Sequence, residues 1–111
     1  MNIVNWFRSR FSSRGKALSL YRRGMARTRK HDHQGAVDSY SAAIELPDAP
    51  SDVKAMALYN RALAYVAAGD KPKGINDLDA VVAMDESLIN IRSMAKQKLA
   101  KMESRSRRRN A

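Results

Sequence analysis

Cysteine is absent from this 111-residue chain, which excludes disulfides, thiolate zinc sites and a thiol nucleophile, and fits a cytoplasmic protein. Aromatic residues number only seven, so the core has to be built largely from aliphatic side chains and alanine. Alanine buries little area but favours helix and lets helices approach closely. No apolar run approaches the roughly 18 residues of a membrane span, so a soluble or at most peripheral protein is expected. Also missing are a glycine-rich phosphate loop, paired carboxylates placed for acid–base work and a nucleophile beside a base. A protein without catalytic site, cofactor or metal is therefore expected. A chain of this length accommodates one domain.

The formal net charge of +10 is unevenly spread. Acids are absent from residues 1–30, which carry nine Lys and Arg. Residues 31–91 hold ten acids against four bases, and residues 92–111 hold eight bases against Glu103. Basic ends around an acidic middle are not the pattern of a uniformly basic nucleic-acid binder. Such blocks mark segments with partners or a solubilising role of their own.

Sliding the chain by 38 residues lays Ala17–Asp48 over Ala55–Glu86. Identities fall at Ala17/Ala55, Leu20/Leu58, Tyr21/Tyr59, Arg23/Arg61, Ala26/Ala64, Asp32/Asp70 and Ala42/Ala80, with similar residues between them. The spacing is helical, and each copy reads as two helices. In the second copy Ser51 is the expected N-cap, followed by a helix with Met56, Tyr59, Leu63 and Val66 three or four apart. Gly69 ends it, Asp70 caps the next helix, and Pro72 falls in the tolerant first turn. Ile75, Leu78, Val81 and Val82 form the second stripe; Asp32 with Val37, Tyr40, Ala43 and Ile44 repeats that logic in the first copy. Asp85 is expected to cap a closing helix carrying Leu88, Ile91, Ala95, Leu99 and Met102.

These residues resemble the tetratricopeptide repeat family. The segment Ala57-Leu-Tyr-Asn-Arg-Ala-Leu-Ala-Tyr-Val-Ala-Ala-Gly-Asp70 is similar to the family's first helix and turn, with Gly74, Leu78 and Val81 at the usual second-helix positions. Gly24, Ala36, Tyr40 and Ala43 fill the same pattern in the first copy. The 38-residue spacing exceeds the family's roughly 34 by about one helical turn, expected around Asp48–Val53. The resemblance implies an all-α fold: a right-handed stack of antiparallel helical hairpins, an alpha-alpha superhelix. Its expected parts are a basic arm (1–16), repeat one (17–48), repeat two (51–86), a closing helix (87–102) and a basic tail (103–111). Two repeats leave an end of the stack to be covered by the arm, a second copy of the chain or a partner.

The resemblance further implies a concave groove lined by the first helix of each hairpin. That nominates Leu18, Tyr21, Arg22, Met25 and Arg29, then Met56, Tyr59, Asn60, Leu63 and Val66. Tyrosine offers apolar area with a polar tip, methionine an adaptable surface, and Asn60 a donor and an acceptor for a peptide backbone. The same residues also suit simple packing between hairpins.

In the arm, Ile3, Phe7 and Phe11 share a helical arc with Val4, Trp6 lies beside it, and arginines flank the stripe. Such a helix suits an anionic membrane surface, a groove on another protein, the chain's own exposed hairpin face or a transit peptide. In the tail, Arg105, Arg107, Arg108 and Arg109 could add phosphate contacts on RNA or simply stay solvated; no interleaved aromatics are present for base stacking. His31-Asp32-His33 has metal-ligand chemistry, but it lies at a turn where Asp32 serves as a cap. The expected function is that of a protein-interaction adaptor binding a peptide or helix. The alternatives are an RNA- or ribosome-associated basic protein and a peripheral membrane adaptor anchored by the arm.

Overall fold

The computed structural model describes residues 2–4 and 12–110. Trp6, Phe7 and Phe11 of the arm lie outside the described residues; Ile3 is exposed. Among the described residues there is no strand, and no helix is long and apolar enough to cross a membrane. Ile3 and Val4 are helical, and from residue 12 on the described residues form five helices in succession: α1 (Ser13–Arg29), α2 (His33–Glu45), α3 (Ser51–Ala67), α4 (Lys71–Val82) and α5 (Ile89–Asn110).

The 38-residue spacing recurs in three dimensions. Ser13 and Ser51 open α1 and α3, and His33 and Lys71 open α2 and α4. The turns inside the two hairpins share one hydrogen-bond pattern. Asp32 N donates to Arg27 O and His31 N to Thr28 O, as Asp70 N does to Tyr65 O and Gly69 N to Val66 O. This motif closes a helix through a left-handed residue. Gly69 takes that place at φ +90°, and His31, its counterpart, at φ +59°. The caps follow: Asp32 Oδ1 accepts from Gly35 N at 3.0 Å, and Asp70 Oδ1 from Lys73 N at 3.2 Å.

Three boundaries differ from the sequence expectation. Ser51 is the first residue of α3 and not its cap; Pro50 precedes it, its carbonyl accepting from Lys54 N at 2.9 Å, with no side-chain cap bond. Asp85 caps a turn, accepting from Ser87 N at 2.8 Å, and α5 begins only at Ile89. The closing helix expected to stop at residue 102 runs on to Asn110, so the basic tail forms its last turns. Arginine is a good helix former, cations suit a helix C-terminus, and Glu103 pairs with Arg107 one turn on.

Each helix packs on the next, and α1 also touches α3, as α3 touches α5. The core has two clusters. Ala36, Val37, Tyr40 and Ala43 of α2 meet Ala57 and Ala64 of α3, with Tyr21 and Met25 of α1 packed against them. Leu58 and Ala62 of α3, Leu78 and Val81 of α4 and Ala95 and Met102 of α5 form the second. The buried face of α3 is thus mostly alanine (55, 57, 62 and 64) with Val53 and Leu58, and its larger Met56, Tyr59, Leu63 and Val66 are only half-buried. Small residues on that face let α3 sit between α2 and α4. Tyr40 is fully buried, and burial of such a side chain contributes about 1.5–3 kcal/mol.

One polar joint crosses the stack. Arg61 of α3 grips Asp77 of α4 with two hydrogen bonds of 2.7 Å and reaches Ser41 of α2 at 2.9 Å. Both charged partners are largely shielded from water, and Asp77 holds Arg61 firmly protonated. At the start of α1, Arg14 forks onto Asp52 of α3 at 3.2 and 2.9 Å, aligning the two helix N-termini at the surface.

Candidate interaction groove

Helix α5 stands beside α3, fixed by Ala95 and Met102 in the second core cluster and by Arg92, whose Nε donates to Val82 O at 3.0 Å. Next to that anchor the two helices leave an open groove of about 330 Å³. Tyr59 and Leu63 form its α3 wall, and Met94, Gln97, Lys98, Lys101 and Arg105 its α5 wall. Met94 is 46% exposed, high for a methionine in the middle of a packed helix. Met94, Lys98, Lys101 and Arg105 recur at helical spacing, so they form one stripe along α5. The groove therefore sets the apolar surface of Tyr59, Leu63 and Met94 against a mainly cationic α5 wall.

The residues nominated from sequence separate into three groups. Tyr59 and Leu63 line the groove. Met56 lines a smaller pocket of about 220 Å³ with Asp52, Leu88, Ile89 and Ile91, at the start of α5. Tyr21 and Met25 instead pack on the first core cluster, in the seam between hairpins. The ring of Tyr21 lies 5.8 Å from that of Tyr40, and its hydroxyl accepts from Asn60 Nδ2 at 3.1 Å. Burial pushes the Tyr21 phenol up, with Tyr40 adding to the effect and the Asn60 hydrogen bond opposing it. Asn60 Nδ2 also donates to Met56 O at 2.9 Å, so its amide donors are engaged inside the protein.

Val66 turns away from the groove. A Cβ added at Gly74 of α4 would meet Val66 Cγ2 at 2.6 Å, and Val66 packs against the second core cluster within its own hairpin. Arg22 and Arg29 are exposed on α1. Arg105, Arg107, Arg108 and Arg109 are exposed on the last turns of α5, and only Arg105 reaches the groove. Asp32 is occupied by its cap bond and by Arg27 Nη1 at 2.9 Å, which together hold its carboxyl below the usual carboxylate range. Among the described residues no group of three His, Cys, Asp or Glu could hold a metal ion.

Of the α5 wall only Arg105 is among the residues nominated from sequence. The stripe Met94, Lys98, Lys101, Arg105 is legible there, but the repeat pattern points to the first helices of the two copies, and α5 has no counterpart in it. A second open groove, of about 420 Å³, lies on the other side of α5, between Ile75 and Asp79 of α4 and Leu99 and Glu103. The chain matches no family model, no curated protein and no solved structure.

Proposed function

We propose that this protein is a non-catalytic, cytoplasmic adaptor that binds another protein along the groove between α3 and α5, with its hairpins stacked as a right-handed superhelix of the tetratricopeptide type. The observation that carries this reading is Met94, held half in water opposite Tyr59 and Leu63 across the groove. Adaptable and amphipathic side chains of this kind make good contact surfaces, and a preformed groove spares this chain the entropy of ordering its own side of the contact. Polar groups nearby are used in structure: Asn60 on Tyr21 and Met56, Arg61 on Asp77 and Ser41.

Affinity capture with Leu63→Asp beside the natural chain tests the proposal. Leu63 is only half-buried, so the variant is expected to fold, checked by circular dichroism, while proteins retained by the natural chain are lost. Unchanged capture by folded Leu63→Asp would overturn it. The cationic end of α5 supports a second reading, contact with RNA phosphates through Arg105, Arg107, Arg108 and Arg109. That reading requires nuclease-sensitive capture, steep salt dependence and loss of binding on removal of residues 103–111.

A further inference from the structure

Resting on that reading of the groove, we infer that its occupant is an acidic amphipathic helix of another protein, seated with its apolar stripe on Tyr59, Leu63 and Met94 and its carboxylates toward Lys98, Lys101 and Arg105. These cations form no salt bridge among the described residues; the one acid of the α5 C-terminal half, Glu103, pairs with Arg107 instead. Three aligned cations beside an apolar wall leave a field that favours an anionic partner and penalises a cationic one. The chain's own ends are excluded by this rule, because residues 1–30 are acid-free and residues 92–111 hold a single acid.

A second copy is a poor fit for the same reason of chemistry. Most of its acids lie on α2, α4 and the adjoining turns, whose apolar faces are buried in its own core, and its one exposed apolar residue in a pocket with an acid, Ile89 near Asp52, belongs to a helix start and not to a three-turn acidic stripe. A nucleic acid would satisfy the cations but not the walls, which offer one aromatic ring, Tyr59, beside leucine and methionine. An amphipathic helix satisfies both. The α5 stripe from Met94 to Arg105 covers about 16 Å, or three helical turns, which is the length of contact that a helix presents with apolar residues at i, i+4 and i+7.

The test uses the full chain and two labelled synthetic helical peptides, alike in their leucines at i, i+4 and i+7 but flanked by glutamate in one and lysine in the other. Anisotropy reads affinity, and NMR shifts of Tyr59, Leu63 and Met94 read location. The glutamate peptide is expected to bind at least about tenfold more tightly than the lysine peptide, with affinity falling as salt rises. Lys101→Glu with Arg105→Glu, both exposed, should weaken the glutamate peptide on the order of tenfold and improve the lysine one. Three results would sink the inference: equal binding of both peptides, shifts centred on Ile75 and Leu99, or displacement from Tyr59 and Leu63 by a uridine oligonucleotide. Equal binding with shifts at Leu63 would remove the charge preference and leave the groove standing. Silence of Leu63 toward both peptides, together with undiminished capture by Leu63→Asp, would remove both.

Discussion

In the first hairpin Gly24 leaves room for the ring of Tyr40; 38 residues on, the same two positions hold Ala62 and Leu78, both fully buried. A Cβ at Gly24 would lie 2.4 Å from Tyr40 Cε1. The exchange repeats in mirror form elsewhere. Thr28 and Ala36 of the first hairpin correspond to Val66 and Gly74 of the second, where the glycine makes space for the valine methyl. The polar contacts differ too. Thr28 Oγ1 meets Tyr40 Oη at 3.0 Å in the first hairpin, and the Arg61–Asp77 fork serves in the second, where the first has Arg23 and Ser39. At the turn, Arg27 pairs with Asp32 over Gly35, while its counterpart Tyr65 lies under the cations of Arg61 and Lys73, each 5.6 Å from the ring. One backbone plan is thus kept by holding the paired volume roughly constant, and the side chains drift in compensating pairs.

The comparison breaks most severely where a charge loses its partner. Asp77→Ala strands the shielded guanidinium of Arg61 and is expected to cost about 3 kcal/mol in denaturant unfolding, whereas Arg23→Ala at the matching exposed site should be nearly silent. Next comes Gly24→Ala, for which overpacking against Tyr40 outweighs the helix-propensity gain by about 2 kcal/mol. Adding Tyr40→Leu, which imports the second hairpin's pair, should return a coupling of about 1 kcal/mol or more in a double-mutant cycle. Additive losses would show that the two hairpins do not exchange volume in this way.

His31 sharpens the comparison with the opposite sign. It occupies the left-handed turn position that Gly69 fills in the second hairpin. His31→Gly should therefore stabilise by about 0.5–1 kcal/mol, and Gly69→His should destabilise by a similar amount. The smallest effect concerns three carboxylates, two at helix starts and one, Asp85, at a turn. Hydrogen bonds from Gly35 N and Arg27 hold Asp32 low, Arg14 holds Asp52 low, and Ser87 N holds Asp85 low. A depressed carboxylate contributes stability that is present above its unfolded value and lost as pH falls through the folded one. Melting temperature is expected to stay level from neutral pH to about 5 and to fall below about 4.

Much of this architecture is visible in the residues. The copies in phase, the glycine after α3 and the aspartates at residues 32 and 70 give both hairpins and their turns, because these are local signals with local causes. The register of α3's faces was harder to read. Large residues at helical spacing resemble a core stripe, yet the tight seams with α2 and α4 take alanine, and Met56, Tyr59 and Leu63 are left at the surface. Direction within the hairpin is equally hidden: Val66 turns inward because Gly74 sits opposite, a relation between helices that no single helix displays. The same holds for the interaction groove, which exists only once α5 comes to rest beside α3.

That resting place has a mechanical consequence. Among the described residues helix α5 is held by α4 and part of α3, and its last eight residues project past the buried Met102. A helix with so few neighbours opens more readily than one packed on both sides, so local unfolding of α5 would dismantle the groove while α1 to α3 stay closed. A ligand clasped between α3 and α5 acts as a latch on that opening. Amide exchange in α5 around Ala95 should slow on binding far more than exchange in α2, which links the partner's affinity to the lifetime of a single helix.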